Sequence, residues 1–94
     1  MRIVTVCGVG IGTSAILKTN AERALDRLML EADVTASDVD GVAVAARDAQ
    51  VILTSPELVD RVRAAVAGSH AEIVVVQNYF DVDEIASVLE SSIG

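Results

Sequence analysis

The stretch RIVTVCGVGIGTS, residues 2–14, decides the fold of this chain. Its first five residues form an apolar run of strand length, and a cluster of glycines stops that run. From Ser14 to about Glu31 the apolar residues recur at helical spacing; those on one face are Leu17, Ala21, Ala24, Leu25 and Leu28. The stretch therefore predicts a strand, a glycine-rich turn and a long helix in direct succession.

The same alternation of strands and helices continues to the end of the chain. The further predicted elements are a polar strand over 34–39, one or two helical turns within 41–48, a buried strand over 51–54, a helix from 56 to about 68, a strand over 73–76 and a last helix that follows Asp81. Ser55 is predicted as the N-cap of its helix and Pro56 as the first helical residue. Asp81 and Glu84 have the spacing of a capping box.

Four strand–helix units predict an α/β domain that spans residues 1–94. We expect a single doubly wound, Rossmann-like, four-stranded parallel sheet of strand order 2-1-3-4, with helices on both faces. The polar second strand suits the sheet edge. In that order the chain reverses direction between strands 1 and 3, and ligands bind such sheets beside that switch point. Cys7 directly follows strand 1, and Thr54-Ser55 ends strand 3, so all three residues are predicted to border the crevice.

Composition excludes several classes of function. The chain has 94 residues, 52% of them hydrophobic, a net charge of −7, one Phe, one Tyr and no Trp. Such a chain would repel nucleic acid and lacks the aromatic residues that stack on bases. One Cys and one His form neither an intrachain disulfide nor a zinc site, and we expect no metal and no cofactor. No apolar run is long enough to cross a membrane, and a free thiol without an export signal predicts a cytoplasmic location.

The segment from Cys7 to Ser14 carries the predicted chemistry. Alternate glycines allow the backbone to turn and bring its N–H groups close to a bound anion, and a helix is predicted to start at Thr13 or Ser14. The positive end of that helix lowers the pKa of a thiol beside it, so Cys7 is predicted as a nucleophile that holds a phosphoryl group. The predicted phosphate-binding residues are Gly8, Val9, Gly10, Ile11, Gly12, Thr13 and Ser14. An isolated Cys-Gly pair is more typical of a buried strand end, but the whole pattern favours a reactive thiol.

Three related loops differ from this one. A P-loop has Lys before its Ser/Thr, whereas Gly12 precedes Thr13 here. A dinucleotide fingerprint that began at Gly8 would have its third glycine where Thr13 stands. A small cysteine phosphatase has an Arg six positions after its Cys, and that position is again Thr13. Without this guanidinium the loop is predicted to carry phosphate rather than to hydrolyse its esters.

Given these residues, the sequence resembles the IIB components of bacterial sugar phosphotransferase systems. Within the lactose/cellobiose IIB-like group, it most resembles the ascorbate/galactitol type. The resemblance rests on Cys7–Ser14 after strand 1, on residues 51–55 and on residues 74–78. It implies a phosphotransferase that accepts a phosphoryl group on Cys7 from the phosphohistidine of a IIA protein. The group then passes to a sugar, such as ascorbate, a pentitol or a hexitol, on a membrane IIC protein, with which this chain would associate peripherally.

Two other functions stay open at this point. One is a IIB-like regulatory or sensor domain that is phosphorylated on Cys7, and the other is a small cysteine phosphatase-like protein. Thr54, Ser55, Asn78 and Tyr79 are predicted to form the rim on which partners dock. Tyr79 and Phe80 either anchor a partner or cover the end of the sheet, and we favour the cover. The only histidine, His70, is predicted to lie at the opposite sheet end from Cys7.

Overall fold

The fold is a four-stranded parallel sheet of order β2-β1-β3-β4, as predicted. The computed structural model describes the backbone of residues 1–6, 10–78 and 80–93, and the side chains of the same residues except 10–14 and 93. Its elements are β1 Arg2–Val6, α1 Gly10–Leu28, β2 Asp33–Ser37, α2 Val42–Ala45 with a 3₁₀ turn at Ala46–Asp48, β3 Val51–Thr54, α3 Val59–Ala65, β4 Glu72–Val75 and α4 Val82–Ile93.

Strand β1 lies inside the sheet between β2 and β3. Its residue Ile3 pairs with Val34 on one side and with Val51 on the other. The order of the strands agrees with their burial, because β1 is buried after Arg2 and β3 is buried throughout, while Thr35 and Ala36 of β2 are exposed. A strand with exposed residues is stable only at an edge, so β2 takes that position.

The helices cover both faces of the sheet, and each face has its own core. Helices α1 and α4 pack together on one face, while α2 and α3 lie on the other. The buried residues of the first core are Ile3, Leu17, Ala21, Ala24, Leu25, Val34, Val51, Leu53, Val76, Ile85, Ala86 and Leu89. Those of the second core are Val4, Val6, Val42, Ala46, Ala49, Ile52, Val62 and Val66. The alternation along β1 and β3 sends successive side chains to opposite cores, as expected for strands buried on both faces.

Helix α3 begins later than its sequence predicts. It starts at Val59 instead of Pro56, and no side chain caps its N-terminus. The carbonyl of Ser55 accepts a hydrogen bond from the N–H of Leu58 at 3.2 Å, so residues 55–58 form a turn. Proline favours the second position of such a turn as much as the first position of a helix, and here the turn prevails.

The C-terminus of α1 contains the one described non-glycine residue with a left-handed backbone, Met29, at φ 59°. The N–H of Leu30 bonds to the carbonyl of Leu25 at 2.9 Å, and the N–H of Met29 bonds to that of Asp26 at 3.1 Å. These two hydrogen bonds define a Schellman motif, in which the left-handed position is usually glycine. Leu30 also packs against the core that contains Leu25, which supplies the apolar contact typical of the motif.

We therefore expect Met29→Gly to stabilise the protein. The Met29 side chain is 90% exposed, so little packing is lost when it is removed. Glycine relieves the steric cost of the left-handed conformation, which gives about 1 kcal/mol more free energy of unfolding in urea titrations. Met29→Ala keeps a Cβ and is the control. Equal stability of the Gly and Ala variants would show that backbone strain at this position is negligible.

Candidate functional site

The predicted switch point lies between the carboxyl ends of β1 and β3. Strand β1 ends at Val6 and α1 begins at Gly10, so three residues connect them. Those residues, Cys7, Gly8 and Val9, lie outside the described part of the chain, and so do the side chains of the predicted phosphate-binding residues Gly10, Ile11, Gly12, Thr13 and Ser14. The structure thus describes the sheet end and the helix that flank the predicted nucleophile, and the role of Cys7 stays a prediction.

Helix α1 begins earlier than the sequence predicts. Its first residue is Gly10 rather than Thr13 or Ser14, so Gly10 and Gly12 belong to the first turn of the helix and not to an extended loop. Glycine costs about 1 kcal/mol relative to alanine inside a helix, and the buried face further along α1 offsets that cost. The first turn of any helix leaves N–H groups without intrahelical partners. The backbone N–H groups of residues 10–12 are therefore those of a helix's first turn rather than of a long glycine loop.

Thr54 and Ser55 do not form the exposed rim that was predicted for them. Thr54 is 0% exposed and Ser55 is 7% exposed, and exposure begins only with Pro56 and Glu57 in the turn that follows. The hydroxyl of Thr54 donates a hydrogen bond to the carbonyl oxygen of Val6 at 3.3 Å. Thr54 is thus a buried contact between the two strands that flank the switch point, and partners cannot dock on it.

The segment between β4 and α4 is fastened by a single carboxylate. Glu84 accepts a hydrogen bond from the backbone N–H of Gln77 at 2.5 Å and another from that of Asn78 at 3.0 Å. The Asp81 side chain accepts from the N–H of Glu84 at 3.1 Å, which is half of the predicted capping box. The other half is absent, because the Glu84 carboxylate binds residues before the cap and the Asp81 N–H bonds to the carbonyl of Asn78.

Phe80 projects from this segment into solvent. It is 70% exposed, so the prediction that it covers the end of the sheet is wrong; Tyr79, the other aromatic residue, lies outside the described residues. Beside Phe80 a groove of about 420 Å³ runs along the middle of α1 and is lined by Ala15, Ile16, Thr19, Asn20 and Arg23. Asn78 is exposed as predicted, and its side chain accepts a hydrogen bond from the Phe80 N–H at 3.0 Å.

The charged residues of the rim are acidic. Asp38 and Asp40 follow β2, Glu57 follows β3 and Asp81 follows β4, and all four are exposed. Within the described rim segments, 38–41, 55–58, 76–78 and 80–81, there is no Lys or Arg. These four segments therefore offer no cationic side chain to a phosphoryl group at this sheet end.

His70 lies at the other end of the sheet. It precedes β4, is exposed, and lines a shallow groove with Arg47 near the end of α3. This location agrees with the prediction. A residue at the amino end of a strand cannot exchange a phosphoryl group directly with one at the carboxyl end of its neighbours, so His70 is not part of this site.

A family model described as the lactose/cellobiose-specific IIB subunit of the PTS system matches residues 2–91. The chain belongs to this IIB family. It is a component of a sugar phosphotransferase system, and its general role is phosphoryl transfer. The ascorbate/galactitol subtype remains a prediction.

Solved structures share the fold of this IIB chain. The lactose-specific IIB component domain from Streptococcus pneumoniae superimposes with a TM-score of 0.74 at 10% sequence identity, over 100% of this chain and 98% of that domain. The solution structure of an uncharacterized protein superimposes with a TM-score of 0.50 at 11% identity, over 97% of this chain and 89% of that one. A comparison with curated protein sequences gave no match.

In the described part of this IIB chain, no helix has both the length and the apolar character that crossing a bilayer requires.

Proposed function

We propose that this protein is the IIB component in which Cys7 accepts a phosphoryl group from the phosphohistidine of a IIA partner and donates it to a sugar held by a membrane IIC partner. The observation that carries the proposal is the match of the IIB family model to residues 2–91, a span that includes the only cysteine. The position of that cysteine adds support, since it directly follows Val6 where β1 ends beside the start of α1.

The chemistry divides into two balanced displacements. In the first, the Cys7 thiolate attacks phosphorus, an S–P bond forms, and the P–N bond to the histidine breaks; the other nitrogen of that ring carries a proton, so a neutral imidazole leaves. In the second, a sugar hydroxyl attacks the same phosphorus, the S–P bond breaks and the thiolate is regenerated, while the hydroxyl proton passes to a base or to water. Backbone N–H groups at the start of α1 would stabilise the charge on the phosphoryl oxygens in both steps.

The identity of the sugar is the least constrained part of the proposal. The family description adds lactose and cellobiose to the ascorbate, pentitols and hexitols that the sequence suggested. The neighbouring IIC protein binds the sugar in our scheme, so specificity lies mostly outside this chain.

A reconstituted relay tests the proposed function. The protein is incubated with phosphoenolpyruvate, the general phosphotransferase proteins and candidate IIA partners, and its mass is measured before and after IIC membranes and each sugar are added. We expect one phosphoryl group on the protein, lost only when the correct sugar is present. A protein that takes no phosphate from any IIA partner, or keeps it with every sugar, contradicts the proposal.

We further expect Phe80→Ala to weaken docking of the IIA partner. An exposed aromatic side chain beside the site is a typical anchor for a protein interface, and its loss should raise the IIA concentration for half-maximal transfer about tenfold. Because Phe80 is exposed, the free energy of unfolding should change by less than about 0.5 kcal/mol. The matched control is Met29→Ala, which removes an exposed apolar side chain from the other end of the sheet. If the Phe80 variant and the wild type need the same IIA concentration for half-maximal transfer, Phe80 is not part of the interface.

A further inference from the structure

The hydrogen bond between Thr54 and Val6 reaches the peptide group that precedes Cys7. The last paired residues of β1 and β3 are Thr5 and Leu53, so Val6 lies one residue beyond the end of that ladder. There the Thr54 hydroxyl donates to the Val6 carbonyl oxygen at 3.3 Å, in a fully buried setting. That carbonyl belongs to the peptide group whose nitrogen is the backbone nitrogen of Cys7.

A second buried threonine, Thr5, provides a comparison for Thr54. Thr5, on the neighbouring strand, is also 0% exposed, but its hydroxyl has no hydrogen-bond partner among the residues that the structure describes. Valine has the same shape as threonine and fills a buried strand position without a polar atom. The two buried threonines therefore differ in one respect. The Thr54 hydroxyl donates a hydrogen bond to the Val6 carbonyl oxygen, whereas the Thr5 hydroxyl has no partner among the described residues.

We propose that Thr54 is a positioning residue for Cys7, and this inference rests on the proposed function of Cys7 as the phosphoryl carrier. A peptide group is planar and rigid, so a bond that holds its carbonyl also restricts the direction in which the chain leaves the sheet. Only three residues connect Val6 to Gly10, which leaves little slack to correct an error in that direction. Thr54 thus fixes the peptide group from which the chain enters Cys7, and in this proposal it does not touch the phosphoryl group itself.

The experiment compares Thr54→Val, Thr54→Ala and Thr54→Ser with the wild type, and Thr5→Val is the matched control. Two quantities are measured at a temperature at which circular dichroism shows every variant folded. The first is the rate of iodoacetamide alkylation across pH, which reports only on Cys7 because the chain has one cysteine. The second is the rate of phosphoryl transfer from phosphorylated IIA protein.

For Thr54→Val we expect the midpoint of the alkylation profile to rise by about half a pH unit and phosphoryl transfer to slow about fivefold, as the loss of one buried hydrogen bond would give. Thr54→Ala should behave in the same way, and it replaces the Val variant if that protein does not fold. Thr54→Ser, which keeps the hydroxyl, and Thr5→Val should both match the wild type.

A role for Thr54 in fold stability alone would leave the alkylation midpoint of the folded protein unchanged. If both hydroxyl-free variants show the wild-type profile and rate, the positioning role is wrong. A wild-type protein that accepts no phosphate would refute the proposed function instead, and the alkylation profiles would still decide whether Thr54 positions the thiol.

Discussion

Replacing Cys7 by serine is expected to abolish sugar phosphorylation in the reconstituted relay, with a loss of at least about a thousandfold. A thiol near neutral pH supplies a reactive thiolate, whereas a serine hydroxyl stays protonated unless a base activates it. The described rim segments contain no histidine or lysine that could serve as that base. The measurement is the rate of sugar phosphate formation with IIA protein and IIC membranes in excess.

The control for this variant is its fold, because serine is close in size to cysteine and should leave unfolding in urea nearly unchanged. Addition of the wild-type protein should restore sugar phosphorylation. Retention of more than about a tenth of the wild-type rate by Cys7→Ser would mean that the phosphoryl group travels by another residue.

The second large effect is expected at Glu84, whose carboxylate accepts two backbone N–H groups of the segment before α4. Glu84→Ala removes both acceptors, and hydrogen bonds to a charged group contribute about 1.5–3 kcal/mol when buried. Since Glu84 is half-buried and water can replace part of the interaction, we expect a loss of about 2 kcal/mol in the free energy of unfolding. The loosened segment carries Phe80, so transfer from IIA should slow as well.

Asp83→Ala is the matched control for Glu84→Ala. Asp83 is the preceding residue of α4 and forms an ion pair with Arg27 of α1, but its side chain is 82% exposed. Such surface pairs contribute less than about 1 kcal/mol. If Glu84→Ala and Asp83→Ala lower the free energy of unfolding equally, the two backbone hydrogen bonds of Glu84 stabilise the protein no more than a surface ion pair does.

The sequence was sufficient for the elements that depend on local pattern. The bounds of β1 and β3 were predicted to the residue, because each is a short apolar run that ends where polar or glycine residues begin. The order of the strands followed from the polar composition of β2, which fits only an edge. The buried face of α1 was predicted correctly from Leu17 to Leu25, since burial there repeats with the period of the helix.

The sequence was insufficient where tertiary contacts decide between two local conformations. Ser55-Pro56 suits both a helix start and a turn, and the chain takes the turn. Gly10 and Gly12 suit a loop, yet both belong to α1. Glu84 has the spacing of a capping box, but its carboxylate finds better donors at Gln77 and Asn78. Each choice rests on packing that a local window of sequence does not contain.

For the site, the sequence identified the switch point and Cys7, whereas the contacts around it come from the fold. The Thr54–Val6 hydrogen bond joins residues 48 positions apart, so no local sequence pattern predicts it. The prediction of an exposed rim was wrong for Thr54 and Ser55, which are buried, because a residue at the end of a strand is not necessarily exposed. The phosphate-binding roles of residues 8–14 remain predictions.

The measurement that tests the central claim most directly is the location of the phosphoryl group after transfer from IIA protein. Trypsin should release residues 3–18, which contain Cys7, separately from residues 64–94, which contain His70. We predict the added phosphoryl mass on residues 3–18 alone, together with protection of Cys7 from alkylation. Phosphate on residues 64–94, or on residues 3–18 while Cys7 is still freely alkylated, would contradict a phosphocysteine carrier.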